Sequence, residues 1–251
     1  MKQTSGKVRR RKPLTRNRMG WISEVLGPVS VLFVEFCATG FCDEAAPALD
    51  VGAAAGAASE AALRAGAWVI ANDLDAAPLK ELERRVRREG SEAEQARLCV
   101  KPGRFPREPH FEPESLGAVH ACNVFHFLTG NQLALGVGKV ARWLRPGGKL
   151  FVQAATPYQA PFEAILPEYE RRVARGAKWP GWVEKIGAYS KHRLLGQMPR
   201  SIHLLDEKVL TRVCVDAGLE VERAWLYRRE DLPESLYLDG RESVGLVARK
   251  L

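Results

Sequence analysis

Short apolar runs alternate with amphipathic stretches along most of this chain. "APALDVG" (46–52) and "WVIAND" (68–73) are compact apolar runs bounded by turn residues, the pattern of strands buried on both faces. "AASEAALRAGA" after Gly56 and "AAPLKELERRVRREG" up to Gly90 space their apolar residues three and four apart among charges, which predicts helices. "ARLCVKPG" (96–103), "GAVHACNV" (117–124) and "KLFVQAAT" (149–156) read as further strands, with a helix over "NQLALGVGKVARWLRPGG" stopped by Pro146, Gly147 and Gly148. A last helix, "DEKVLTRVCVDAG", and two strands, "LEVERAWLY" and "ESVGLVARK", close the chain. Strands alternating with helices predict an α/β domain, a mostly parallel sheet with helices on both faces. The apolar stretch "WISEVLGPVSVLFVEF" (21–36) has helical spacing and is expected to pack across the mouth of a site, with Trp21 or Phe33 nearby.

Composition changes this picture in three ways. At 251 residues the chain is within reach of one large domain, and no window is a continuous apolar span, because Gly27, Pro28, Glu35 and Gly40 break the most apolar segment. The five cysteines are scattered, without CxxC or a histidine at ligand spacing. That argues against a disulfide framework or a structural metal site and suits a cytoplasmic protein. The net charge of +8 belongs to residues 1–18, which carry basic side chains from Lys2 to Arg18 and no acid, while basic and acidic residues in the remainder balance. That segment reads as a disordered basic tail, and the pI is no argument for nucleic-acid binding by residues 19–251.

The chemistry begins at "ALDVGAAAGAAS" (48–59), where an acid is followed almost entirely by Ala and Gly. In a sheet of this type, ligands bind beyond the carboxyl ends of the strands, where the first strand turns into its helix. Small residues there let backbone amides approach a ligand closely. Asp73, closing the second strand 21 residues after Gly52, stands where a carboxylate takes ribose hydroxyls. Read as a dinucleotide fingerprint, the loop keeps only Gly52, with Ala54 and Ala57 at the other glycine places. Asp50, two residues before Gly52, would repel a pyrophosphate and favour an ammonium.

Asp50-x-Gly52-x-Ala54-x-Gly56 resembles the acid-x-Gly-x-Gly-x-Gly loop of class I S-adenosylmethionine-dependent methyltransferases, with one glycine replaced by alanine. "VIANDLDAAPLKEL", "AVHACNVFHFLTG" and "WLRPGGKLFV" are similar to that family's second strand and helix, fourth strand, and helix–turn–fifth strand, in order over residues 46–156. The resemblance implies a seven-stranded Rossmann-like sheet, S-adenosylmethionine as cofactor, and Asp50, Gly52, Ala54, Gly56, Asp73, Leu74 and Asn123 as cofactor-site residues. It also implies a division into an N-terminal helical segment (19–45), a cofactor-binding half (46–156), a lid (157–205) and a final helix and strands (206–251). One departure stands out: Lys101, Pro102 and Gly103 occupy the end of the third strand, where the family often has an acid for adenine. A later acid such as Glu108, or the backbone, would have to serve instead.

The expected reaction is methylation of a small aromatic or lipophilic molecule on oxygen or nitrogen. The lid carries Tyr158, Phe162, Tyr169, Trp179, Trp182 and Tyr189, aromatic walls for such a substrate, and Arg171, Arg172, Lys191, Arg193 and Arg200 as candidate anion contacts. If a hydroxyl is methylated a base is needed, and His126, His192 and Tyr158 are the candidates. Three other readings compete: an RNA methyltransferase that uses residues 1–18, a nicotinamide-dependent enzyme that binds NAD, and a non-catalytic binding protein of the same fold.

Overall fold

The computed structural model describes residues 25–189 and 199–251. Seven strands form one sheet: β1 (Ala48–Val51), β2 (Val69–Asp73), β3 (Leu98–Pro102), β4 (Leu116–Cys122), β5 (Leu144–Ala155), β8 (Leu219–Tyr227) and β9 (Ser243–Lys250). Their order is β3-β2-β1-β4-β5-β9-β8; β1 to β5 run parallel, and β9 lies antiparallel between β5 and β8. The predicted seven-stranded α/β sheet is therefore present. β1 is buried at all four positions, as expected of a central strand covered on both sides.

Among the described residues seven α-helices serve the sheet and its additions: α1 (Pro28–Phe36), α2 (Ala57–Arg64), α3 (Ala76–Glu89), α4 (Glu92–Arg97), α5 (Gly130–Trp143), α6 (Leu166–Ala174) and α7 (Glu207–Asp216). α3 buries Leu79, Leu82 and Val86 at helical spacing and begins at Asp75, whose carboxylate accepts from the Ala77 N–H. α5 opens with a capping box between Thr129 and Gln132, which fixes where the chain turns after β4. The helix ends at Trp143, and Leu144 already belongs to β5; Pro146–Gly148 lie in that strand rather than ending the helix.

The core divides into two faces. On one, α5 and α7 supply Leu133, Val137, Leu210 and Val213 against Val119 and Val152. On the other, α1, α2 and α3 supply Val29, Phe33, Leu63, Leu79 and Leu82 against Ala71, Ala118 and Phe151. Phe33 is wholly buried, stacked on His120 at 4.7 Å between ring centroids and edge-on to Phe151 at 5.7 Å. This corrects the expectation that Phe33 lines the mouth of a site: α1 packs on the sheet face, because its apolar side has sheet to cover. Trp21 lies outside the described residues.

Between β5 and α7 lies a small unit with its own core of Phe162, Ile165, Tyr169, Val183, Ile186, Ile202 and Leu204, including the two-residue strands β6 (Trp182–Val183) and β7 (Ile202–His203). It returns to the sheet where the Leu205 N–H donates to the Ala155 carbonyl. Among the described residues no helix is long and apolar enough to cross a membrane, and no group of three metal-ligating side chains is placed to hold an ion.

Phe33→Ala should cost about 3–5 kcal/mol, the range for deleting a buried aromatic ring. Urea unfolding should show a lower midpoint at unchanged slope; an unchanged midpoint would mean that α1 is not integral to the core.

Candidate functional site

The strand order reverses between β1 and β4, and the crevice above their carboxyl ends is where the loop after β1 lies. Gly52 has φ 71°, and a side chain on it would meet the Val124 Cγ2 atom at 2.4 Å, so the loop after β1 and the chain after β4 touch there. Gly56 (φ 81°) is the N-cap of α2, and a side chain on it would strike Leu82 of α3 at 2.5 Å. Both positions need glycine for conformation and for space. α2 has no side-chain cap, so its first N–H groups face the loop unclaimed.

Ala54 is the departure from the glycine pattern, and it keeps a left-handed backbone (φ 48°). The Asp73 carboxylate holds it there: Oδ2 accepts the Ala54 N–H at 3.0 Å, and Oδ1 accepts the Asp75 N–H at 2.9 Å. Burial pushes the Asp73 pKa up, opposed by those two hydrogen bonds. Leu74, next in the chain, leaves 41% of its surface exposed, an apolar platform beside the carboxylate. At the end of β3, the buried Asn72 side chain donates to the carbonyls of Lys101 (2.8 Å) and Gly103 (3.1 Å). Glu108 lies against Gly103, its Cβ 2.9 Å from where a side chain would start, so the acid singled out in the sequence does stand at this strand end.

Asp50 faces inward. Its Oδ2 accepts from the Ser59 hydroxyl at 2.6 Å and its Oδ1 pairs with His120 Nδ1 at 2.8 Å, with Asp50 and His120 both buried. His120 Nε2 lies 2.9 Å from Ser30 Oγ, whose hydroxyl donates to the Cys122 sulfur at 3.7 Å. A Ser30 hydroxyl that donates to Cys122 can accept from His120 Nε2, an arrangement that accommodates protons on both ring nitrogens. Burial opposes that charge, but Cys122 and Asp50 outweigh it and hold the His120 pKa at about 10. The sign follows: this stabilisation is complete below the ordinary histidine pKa of about 6.5 and is lost as pH rises through about 10. Asp50 is thus tied to α2 through Ser59 and to β4 through His120, one partner on each oxygen.

Asn123 ends β4 in a left-handed conformation (φ 62°), and its Oδ1 accepts from Gln153 and from Arg229. Gln153, Tyr227 and Arg229 were not singled out in the sequence; they come from β5, β8 and the loop after β8, and only the folded sheet brings them to Asn123.

The candidate bases fare differently. His126 is buried, and its Nδ1 accepts the Ala155 N–H at 3.2 Å, which places the ring proton on Nε2 and leaves no lone pair for a substrate. Burial and the Arg229 charge push its pKa down to about 3. His126 is thus a positioning group for the β5 end and not a base. Tyr158 packs edge-on to Tyr169 and under the Arg241 guanidinium at 3.7 Å, and burial raises its pKa, the wrong direction for a base. His192, Lys191 and Arg193 lie outside the described residues. Phe162 and Tyr169 belong to the core of the unit between β5 and α7, Arg171 pairs with Glu168, and Arg172 is occupied by Glu168 and the carbonyls of Pro180 and Trp182. Trp179, Trp182 and Tyr189 instead line a groove of about 880 Å³ beside Gly130 at the start of α5.

Residues 49–152 match the model of a methyltransferase domain family. No curated protein matches the chain. Among solved structures, an S-adenosylmethionine-dependent methyltransferase from Methanosarcina mazei is similar at TM-score 0.62 and 16% identity, over 90% of this chain and 98% of that one. A magnesium protoporphyrin IX methyltransferase from Synechocystis, with bound S-adenosylhomocysteine, is similar at TM-score 0.58 and 13% identity, over 89% and 82%. A geranyl diphosphate C-methyltransferase from Streptomyces coelicolor is similar at TM-score 0.56 and 14% identity, over 88% and 79%. The sheet order and these likenesses give one fold, that of the class I methyltransferases.

Ala54→Gly should stabilise the protein by about 1 kcal/mol by relieving the left-handed alanine, a gain read from the urea midpoint. No gain would mean that Asp73 leaves no strain to relieve. A second outcome concerns His126. Its proton is bound below about pH 6.5 when unfolded but only near 3 when folded, so acidification through that window destabilises the fold by up to about 1.4 kcal/mol per pH unit. His126→Asn should remove that part of the slope between pH 7 and pH 5, and an unchanged slope would contradict the burial argument.

Proposed function

We propose that this chain, a class I S-adenosylmethionine-dependent methyltransferase by fold and domain match, methylates a small molecule of planar or lipophilic character. The observation that carries the reading is the loop from Gly52 to Gly56 at the strand-order switch, facing Asp73 across the Ala54 N–H. S-adenosylmethionine bound here would supply a sulfonium-activated methyl group to the acceptor. The residues present fit such a cofactor. The Asp73 carboxylate can exchange the Ala54 N–H for ribose hydroxyls, and the exposed Leu74 offers an apolar face to a base. The uncapped N-terminus of α2 offers N–H groups to a carboxylate, and Asp50, neutralised by His120, does not oppose that charge.

His126 and Tyr158 take no part as bases in this reading, so catalysis rests on alignment of acceptor and methyl group, for which holding two reactants in place is sufficient to supply much of the rate. The aromatic groove of Trp179, Trp182 and Tyr189 supports a planar or lipophilic body for the substrate. The similar proteins from Synechocystis and Streptomyces coelicolor are named for small-molecule substrates, a porphyrin and a prenyl diphosphate.

Thermal unfolding with S-adenosylmethionine, S-adenosylhomocysteine and NAD in parallel tests the cofactor. Ligand at about 100 times its dissociation constant stabilises by roughly 2.7 kcal/mol, which in a chain of this size raises the midpoint by about 5–10 °C. Both S-adenosyl compounds should give that shift, NAD none, and Asp73→Ala should abolish it. A response to NAD alone, or to none of the three, would sink the reading.

A further inference from the structure

The polar side chains at the ends of β4, β5 and β8 form a chain whose hydrogen-bond directions are fixed from one end. Arg229 sets them, since a guanidinium only donates. Only 13% of its side chain is exposed, and Asp231 holds it through Nε (2.8 Å) and Nη2 (2.6 Å), while Nη1 donates to Asn123 at 2.9 Å. The Asn123 atom receiving that bond is therefore an oxygen. Gln153, 3.2 Å from the same oxygen, must present its Nε2 there, and its own Oε1 is left to accept the Tyr227 hydroxyl, as it does. No amide in the chain can be turned over without placing donor against donor.

The consequence falls on Asn123. Both lone pairs of its Oδ1 are used, whereas its Nδ2 has no protein partner among the described residues. Asn123 is half-buried at the carboxyl end of β4, and Val124 after it touches Gly52 of the cofactor loop. The free group at this point is a pair of N–H donors.

We infer that Asn123 is a specificity-determining residue that donates to an oxygen of the methyl-acceptor substrate, so that the substrate carries a carbonyl, carboxylate or phenolic oxygen at this position and not an amino group. This rests on the methyltransferase reading above. An amine held here would need an acceptor, and the side chain's only acceptor is committed to Arg229 and Gln153. The other source of an accepting oxygen is the carboxylate of the cofactor itself, and the experiment separates the two.

The full chain is first titrated with S-adenosylhomocysteine; absence of binding would remove the methyltransferase reading, and this inference with it. With the cofactor product saturating, benzoate, 4-hydroxybenzoate and benzylamine are then titrated into wild type, Asn123→Asp and Asn123→Gly. Asp and Gly both tolerate a φ of 62°, and Asp keeps an oxygen for Arg229 while replacing the donors with an acceptor. The wild type should bind the oxygen probes at least about tenfold tighter than benzylamine, and Asn123→Asp should weaken them by about 10- to 100-fold, the effect of a lost charge-assisted hydrogen bond, and should bind benzylamine more tightly. Asn123→Gly should lose the discrimination, with each variant compared at its own saturating S-adenosylhomocysteine concentration. In ¹⁵N-resolved spectra, the side-chain amide pair missing from Asn123→Asp should shift in wild type when benzoate is added. Preference for benzylamine, binding of no oxygen probe, or equal binding by wild type and Asn123→Asp overturns the inference. Loss of S-adenosylhomocysteine affinity in Asn123→Asp with unchanged probe binding assigns the donors to the cofactor carboxylate and overturns it as well.

Discussion

The part of this molecule built on β1 and β4 is organised around one buried ion pair, Asp50 with His120. An unpaired charge in that position, on two central strands covered by helices, would be too costly to keep. The pair survives because every polar atom has a partner: Ser59 of α2 and His120 of β4 on the carboxylate, Ser30 of α1 on the far nitrogen. Phe33 then closes the imidazolium off from water by stacking on it. Four elements thus meet at one charge pair, and the loop from Gly52 to Gly56 leaves β1 and enters α2 with its direction fixed at both ends. Removing one partner would strand the other, so the arrangement is all-or-none in a way that a purely apolar core is not.

The same pair alters the electrostatics of the crevice. Counted from sequence, Asp50 is a bare negative charge beneath a phosphate-sized loop, and that count argues for an ammonium and against a pyrophosphate. In the fold its charge is compensated by His120, and the argument from repulsion loses its force. What distinguishes the site is the remaining carboxylate, Asp73, with one oxygen on the loop amide of Ala54 and the other on its own helix. Burial already raises its pKa, so it gains most from a ligand that brings hydroxyl donors. A left-handed alanine next to it is tolerated because Asp73 claims its N–H.

The sheet and its order of elements were legible in the sequence because each strand and helix is specified by residues within a dozen positions of one another: a run such as "ALDV", a cap such as Thr129, a stripe such as Leu79, Leu82 and Val86. The loop after β1 and the acid closing β2 were legible for the same reason, since Asp50, Gly52, Gly56 and Asp73 fall within two consecutive strand–helix units. Asp50 was placed correctly on its strand, but which way it faces depends on His120, seventy residues on, and no local pattern encodes that. His126 was selected as a base from its position after β4. Its role is decided by the Ala155 amide and the Arg229 charge, both remote in sequence, and they leave it neutral with its lone pair taken.

This difference in range explains why the domain match covers residues 49–152 while the substrate stays a matter of inference. Binding a common cofactor needs one loop and one carboxylate, contributed by neighbouring segments and recognisable as a spacing. If Asn123 selects the acceptor, that choice draws on Asn123, Gln153, Tyr227 and Arg229, one residue from each of four places separated by up to 106 positions. Each of those residues alone is an ordinary polar side chain at a strand end. Only the direction of the hydrogen bonds between them, set by a guanidinium that cannot accept, turns an asparagine into a donor and gives the crevice a chemical preference. Substrate choice by Asn123 would then depend on how the last strands return to the sheet, because Tyr227 and Arg229 arrive only with β8 and the loop after it.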